Sequence, residues 1–179
     1  GLDINFNYST TLSNGILLDL GVNATHLFQF LTPEHEEEEG GHDGEHEEHM
    51  VNRVGKFNYN AHTHSLPRLR LNTFFSLTHN EIRYSMNARY LDGYKNLRPL
   101  PAAAVSSGYK NKVDSFLVFD VGASKTFEIK GNELKVGLHL INAFDESAPL
   151  LYDAPDFSFD TRLHDPRGRL VNFSVDYQF

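Results

Sequence analysis

The chain has 179 residues with no Cys, no Trp, 14 Phe and 8 Tyr, and a formal net charge of -8. Its length suffices for one packed domain, the lack of Cys excludes disulfides, thiolate metal sites and Cys nucleophiles, and no apolar run approaches the ~20 residues of a membrane helix. The charge is local: nine of the 24 acids fall between Glu34 and Glu48, and outside that stretch 15 acids face 16 bases, so no basic stripe points to nucleic acid.

Period-two alternation of apolar with mostly polar residues marks seven segments in turn. Leu2, Ile4, Phe6 and Tyr8 alternate with Asp3, Asn5, Asn7 and Ser9, and then Ile16, Leu18, Leu20, Val22 and Ala24 with Leu17, Asp19, Gly21, Asn23 and Thr25. A third segment sets Leu69, Leu71, Thr73, Phe75 and Leu77 against Arg68, Arg70, Asn72, Phe74 and Ser76, and a fourth sets Ile82, Tyr84, Met86, Ala88 and Tyr90 against Arg83, Ser85, Asn87 and Arg89. The fifth, Leu117 to Ser124, is the least regular. The sixth runs from Leu134 to Ile141, and the seventh places Val171, Phe173, Val175, Tyr177 and Phe179 opposite Leu170, Asn172, Ser174, Asp176 and Gln178.

Each apolar face reads as free of charge. Asp3, Asp19, Arg68, Arg70, Arg83, Arg89, Asp120, Lys135 and Asp176 all fall on the other face. A packed soluble core would not accept that density of unpaired charge, whereas the wall of a membrane barrel requires lipid on one face and water on the other. Short links at Thr10–Asn14, around Asn80 and at Glu128–Glu133 alternate with long ones at Thr32–Ser65, Lys95–Lys112 and Glu146–Gly168. Outer-membrane barrels show that asymmetry, with short periplasmic turns and long external loops. The reading is therefore all-β: part of a transmembrane antiparallel barrel, in contact with outer-membrane lipid. Phe28, Phe30, Tyr90, Tyr94 and Phe144 are expected at the upper rim, and Tyr8, Phe127, Tyr177 and Phe179 at the lower.

Seven strands are an odd number for a single-chain bacterial barrel, and no basic segment followed by an apolar core opens the chain. Residues 1–179 are accordingly expected to be the C-terminal portion of a larger barrel. Residues 32–65 are expected to form its long His- and Glu-rich external loop.

That loop holds the only segment with evident chemistry. Between Glu34 and His49, four imidazoles, His35, His42, His46 and His49, are interleaved with nine carboxylates, among them Asp43 and Glu45. Mixed nitrogen and oxygen donors suit Zn²⁺ and, less selectively, Cu²⁺ or Ni²⁺. His42, His46 and His49 are spaced four and three apart, but Gly40, Gly41 and Gly44 oppose a stable helix, which favours a flexible collector over a preformed site. His62 and His64 could join it, while His26 and His139 read as parts of the wall. No resident cofactor is expected, and a solvated acidic loop is the alternative. No nucleophile elbow or phosphate-cradling loop is present, so no catalytic residues are assigned.

The tail combines Leu140-Ile141-Asn142-Ala143-Phe144-Asp145, then Asp165-Pro166-Arg167-Gly168-Arg169, then Val171 through Phe179. It resembles the C-terminus of TonB-dependent outer-membrane receptors, with Ala143 where that family usually has Leu. Gly1-Leu2-Asp3 and Ser65-Leu66-Pro67-Arg68 resemble strand openings of the same family. The resemblance implies a barrel of twenty-two strands in a Gram-negative outer membrane, a plug domain and TonB box outside this chain, and contact with the TonB energy-transducing complex through that plug. It also implies a monomer, and makes Phe173, Val175, Tyr177 and Phe179 the signal read by the barrel-assembly machinery. Zinc-uptake receptors of the family carry His- and acid-rich external loops, so the resemblance favours zinc as the transported ion. A siderophore, heme or another nutrient, a passive or adhesive barrel, and an enzyme barrel remain the alternatives.

Overall fold

The computed structural model describes residues 1–34, 49–58, 64–154 and 157–179. In chain order its strands are β1 (Leu2–Thr11), β2 (Leu17–His26), β3 (Leu31–Glu34), β4 (His49–Asn52), β5 (Lys56–Asn58), β6 (His64–Ser65), β7 (Leu69–His79), β8 (Ile82–Leu91) and β9 (Tyr94–Asn96). A short helix, α1 (Ala102–Ser106), precedes β10 (Lys112–Val113), β11 (Phe116–Ile129), β12 (Asn132–Ile141) and β13 (Leu170–Gln178). Seven of the strands form one antiparallel sheet in the order β1-β2-β7-β8-β11-β12-β13, each pairing with its successor in that order. These are the seven segments marked by alternation.

The register carries each face across the whole sheet. Tyr8, Leu20, Phe75, Met86, Val121, Leu140 and Val171 are successive cross-strand partners, and so form one apolar row over seven strands. The adjacent row, on the opposite face, reads Ser9, Asp19, Ser76, Ser85, Gly122, His139 and Asn172. A slip of one residue at any pairing would exchange the faces, so the agreement of six pairings shows that the alternation sets the register. Gly122 has a purpose in this row: the imidazole of His139 occupies the space a side chain there would need.

Two hairpins close in two residues, both with positive φ: Asn80 at 47° with Glu81 at 66°, and Lys130 at 54° with Gly131 at 83°. Such primed turns match the twist of paired strands. The third, through Ser13, Asn14 and Gly15, closes by Leu12 N–H donating to Ile16 C=O at 2.8 Å, with Gly15 at φ 77°. Antiparallel order puts these turns at one end of the sheet and the connections 27–68, 92–115 and 142–169 at the other.

The apolar face has no layer packed on it among the described residues. Phe6 is 52% exposed, Tyr84 56%, Leu138 50% and Phe173 67%. The buried apolar residues lie elsewhere: Phe57, Tyr94, Val113 and Leu151, drawn from all three long connections, make one cluster against which Ala154 and Leu163 pack. Around it, β10, β9, β5 and β6 form a second, four-stranded sheet. Asn96 Nδ2 donates to Tyr152 C=O at 3.0 Å, and Arg98 pairs with Asp153 at 2.5 Å. Described parts of all three connections thus fold together as a cap at the loop end of the seven-stranded sheet. Tyr94, expected at a rim, is only 3% exposed and belongs to this cap core.

One expectation about charge is corrected. The strand β11 continues past Ser124 to Ile129, so Lys125 falls on the apolar face, paired in register with Ile82 and Val136. Its Nζ lies 4.9 Å from the Phe127 ring centre. The position is near the turn end, where a long aliphatic stem can lie along apolar surface while its ammonium reaches solvent and the aromatic face.

Candidate functional site

The metal-ligating residues expected from the sequence divide by position. His49 opens β4 and is the Cα partner of Glu34, so the flanks of the acidic stretch are joined by the separate two-stranded sheet β3-β4. His64 lies opposite Asn58 in the β5-β6 hairpin, at φ 51°, its carbonyl accepting from Asn58 Nδ2 at 2.6 Å. His35, His42, Asp43, Glu45, His46 and His62 lie outside the described residues. His49 and His64 stand on different sheets, and among the described residues no three His, Asp or Glu side chains group as a metal site. The four residues expected as an assembly signal, Phe173, Val175, Tyr177 and Phe179, are all exposed on or beyond the edge strand β13.

A different site lies where wall meets cap. Residues of the polar face at the loop end, Arg70, Asn72, Arg89, Phe116 and Val118, and cap residues Leu163, Asp165 and Arg167 line a cavity of about 290 Å³ that opens to solvent past the exposed Arg70, Asn72, Arg89 and Arg167. Phe116 and Val118 are buried, the first under the edge of the His164 ring at 5.1 Å between centres. Below it a second hollow of about 320 Å³ is lined by Asn5, Asn7, Asn23, Asn72, Asn87 and Arg89 among others, sharing Asn72 and Arg89 with the first.

Most charges around the upper cavity are committed. Arg89 donates to Asp120 Oδ1 at 3.1 Å. Arg167 grips Asp165 through Nε and Nη2 at 2.7 to 3.1 Å, and its backbone N–H adds a bond at 3.0 Å. The Arg167 side chain and then its backbone N–H hold the Asp165 carboxyl down to about 2, since both favour the charged form. The same pairing pushes the Arg167 guanidinium above its ordinary range. Arg70 makes no side-chain hydrogen bond or ion pair among the described residues.

The wall of this cavity is fastened by the Asn142–Asp145 turn. Asn142 is buried with φ 51°. Its backbone N–H donates to Asp120 Oδ1 at 2.9 Å, while its side chain donates to Glu146 C=O and accepts from Glu146 N–H, both at 2.8 Å. Asp145 Oδ1 then accepts the Arg169 N–H at 2.7 Å, so the start and the return of the 142–169 connection are tied together. A side chain at Gly168 would sit 2.5 Å from that same Oδ1, which is why a glycine precedes Arg169.

His164 couples the cap to pH. Burial pushes its pKa below 6.5, outweighing the opposing effects of the Asp160 carbonyl, 3.2 Å from Nδ1, and of the Asp160 charge. Above about pH 6.5 both folded and unfolded forms hold the ring neutral; as pH falls below that value the unfolded chain takes up the proton first, and cap stability declines until the lower folded-state pKa is passed. Amide protection factors at Leu151 and His164, taken relative to the intrinsic base-catalysed rate at each pH, are therefore expected to fall as pH drops below about 6.5, and His164→Gln to flatten that dependence. Protection factors that stayed constant or rose on acidification would contradict the assignment.

The charges of the polar face were visible in the sequence, but their grouping was not. Arg70 and Arg89 meet Asp165 and Arg167 only because the 142–169 connection folds back over the sheet, and no local spacing signals that return. Comparisons of the chain with protein-family models, with curated proteins and with solved structures find no match.

Proposed function

We propose that this chain is part of the wall and external loops of an outer-membrane transport barrel, and that the acidic His-rich stretch collects a metal ion, zinc favoured, for TonB-coupled uptake. The observation that carries the reading is the uncovered apolar face. Six of the seven wall strands are 9–11 residues long, the length of a tilted bilayer span. Among the described residues their apolar rows meet no second layer, their polar rows hold asparagines and paired charges, and the long connections all leave from one end of the sheet. A soluble sheet would have to bury such a face against another layer.

In this reading the open edges of β1 and β13 pair with further strands of the barrel, since unpaired strand edges cannot face lipid. Phe173, Val175, Tyr177 and Phe179 serve the assembly machinery, Lys125 and Phe127 mark the periplasmic boundary, and the packed cap stands outside the cell. The zinc assignment rests on donor chemistry: carboxylates raise the local cation concentration and neutral imidazoles select transition-metal ions over Mg²⁺.

The test replaces residues 35–48 by Asn-Gly, a pair suited to closing β3 and β4 in a tight turn. Because β3-β4 is separate from the cap core, the protein is expected to assemble in normal amounts. Growth should slow only when zinc is scarce, with uptake of radioactive zinc at low concentration falling several-fold. Unchanged zinc uptake with normal assembly would overturn the zinc assignment and leave the barrel reading to its own test.

A further inference from the structure

We propose that the cavity between wall and cap binds a small organic carboxylate with an apolar body, through Arg70. The inference stands independently of the zinc assignment, because it rests on a different part of the molecule with the opposite charge preference.

The argument begins with the guanidiniums. Arg89 and Arg167 are each held by a carboxylate, Asp120 and Asp165, so their charge is largely neutralised and their geometry fixed. Arg70, solvent-exposed at the mouth of the same cavity, carries no such partner among the described residues. A guanidinium is never deprotonated under physiological conditions and presents a planar fork that matches a carboxylate in a bidentate pair. Asn72, beside it on the wall, offers an amide that can donate to the same oxygen pair or to a neighbouring polar group.

The remaining lining selects the body of the ligand. Phe116, Val118, Ile141 and Leu163 face the cavity, and Phe116 and Val118 are nearly inaccessible. A volume of about 290 Å³ is at the small end of small-molecule sites, which span about 300–1,000 Å³. Inorganic phosphate would leave the apolar wall unused, and a bare divalent cation would meet an unneutralised arginine. A phenyl- or branched-alkyl carboxylate uses both halves.

The experiment uses the full-length protein in detergent with 3-(4-fluorophenyl)propionate as probe, read by ¹⁹F line broadening and shift. Saturable binding is expected, weakened at least about tenfold by Arg70→Gln and retained in part by Arg70→Lys. Lys130→Gln, at the opposite end of the sheet, should leave it unchanged. The neutral amide of the probe is expected to bind at least about tenfold more weakly than the acid. Equal binding of acid and amide, or full binding by Arg70→Gln, would overturn the role of Arg70. Displacement of the probe by an equal concentration of inorganic phosphate would overturn the apolar half of the proposal. Heat-modifiable mobility of each variant on gels reports that its fold is intact, so a loss of binding reads on the site.

Discussion

Leu138→Arg is expected to cost about 2–4 kcal/mol of folding free energy in a bilayer, the penalty of a cation near the midplane of a barrel wall. Leu138 is the seventh residue of the ten in β12, lies on the apolar face between Ala123 and Phe173, and is half exposed there. Asn172→Arg, on the polar face of β13 beside His139, is the control, expected within about 0.5 kcal/mol of the parent. Urea titration of folding into lipid vesicles separates the two. If the sheet were one layer of a soluble sandwich, Arg at position 138 would still destabilise, but vesicles would not be needed for folding and the loss would appear in water.

The second large effect is expected at Asn142. Asn142→Ala removes both side-chain bonds to Glu146 and places a residue less tolerant of φ 51° at the turn. Two lost hydrogen bonds at about 1 kcal/mol each and roughly 1 kcal/mol for the left-handed conformation give a local loss of about 3 kcal/mol. The damage should be confined to the cap, because the wall pairings of β12 end at Ile141. Limited proteolysis between Glu146 and Gly168 should accelerate while the wall stays resistant. Gly168→Ala, which crowds Asp145 from the other side, should produce the same pattern and combine less than additively with Asn142→Ala.

The wall was legible in the sequence because a half-exposed strand writes its environment into every second residue. The fifth strand was read short for a definite reason: Lys125 breaks the apolar row, and only the continued pairing of Lys125 to Ile129 with β12 shows that the strand goes on. The cap was not legible. Its core is assembled from Phe57, Tyr94, Val113 and Leu151, single residues from three connections, with no local period to mark them. The Asn142-to-Asp145 segment stood out as a resemblance alone, and the structure supplies a physical role for it as the turn that ties the last long connection to the start of β13. Of the residues expected to bind metal, the two described ones occupy separate hairpins, and the remainder of that expectation lies outside the described residues.

The central claim, that the odd-numbered face of β13 meets lipid and the even-numbered face meets water, is open to one direct measurement. These 179 residues have no Cys, so single cysteines placed in turn at positions 171 to 176 of a full-length protein with any other Cys replaced by Ser, labelled with an environment-sensitive fluorophore and reconstituted in vesicles, report each side chain alone. Quenching by nitroxide lipids is expected at 171, 173 and 175, and quenching by aqueous iodide at 172, 174 and 176. Positions 171, 173 and 175 shielded from both quenchers, as beneath a second protein layer, or open to iodide, would contradict the account.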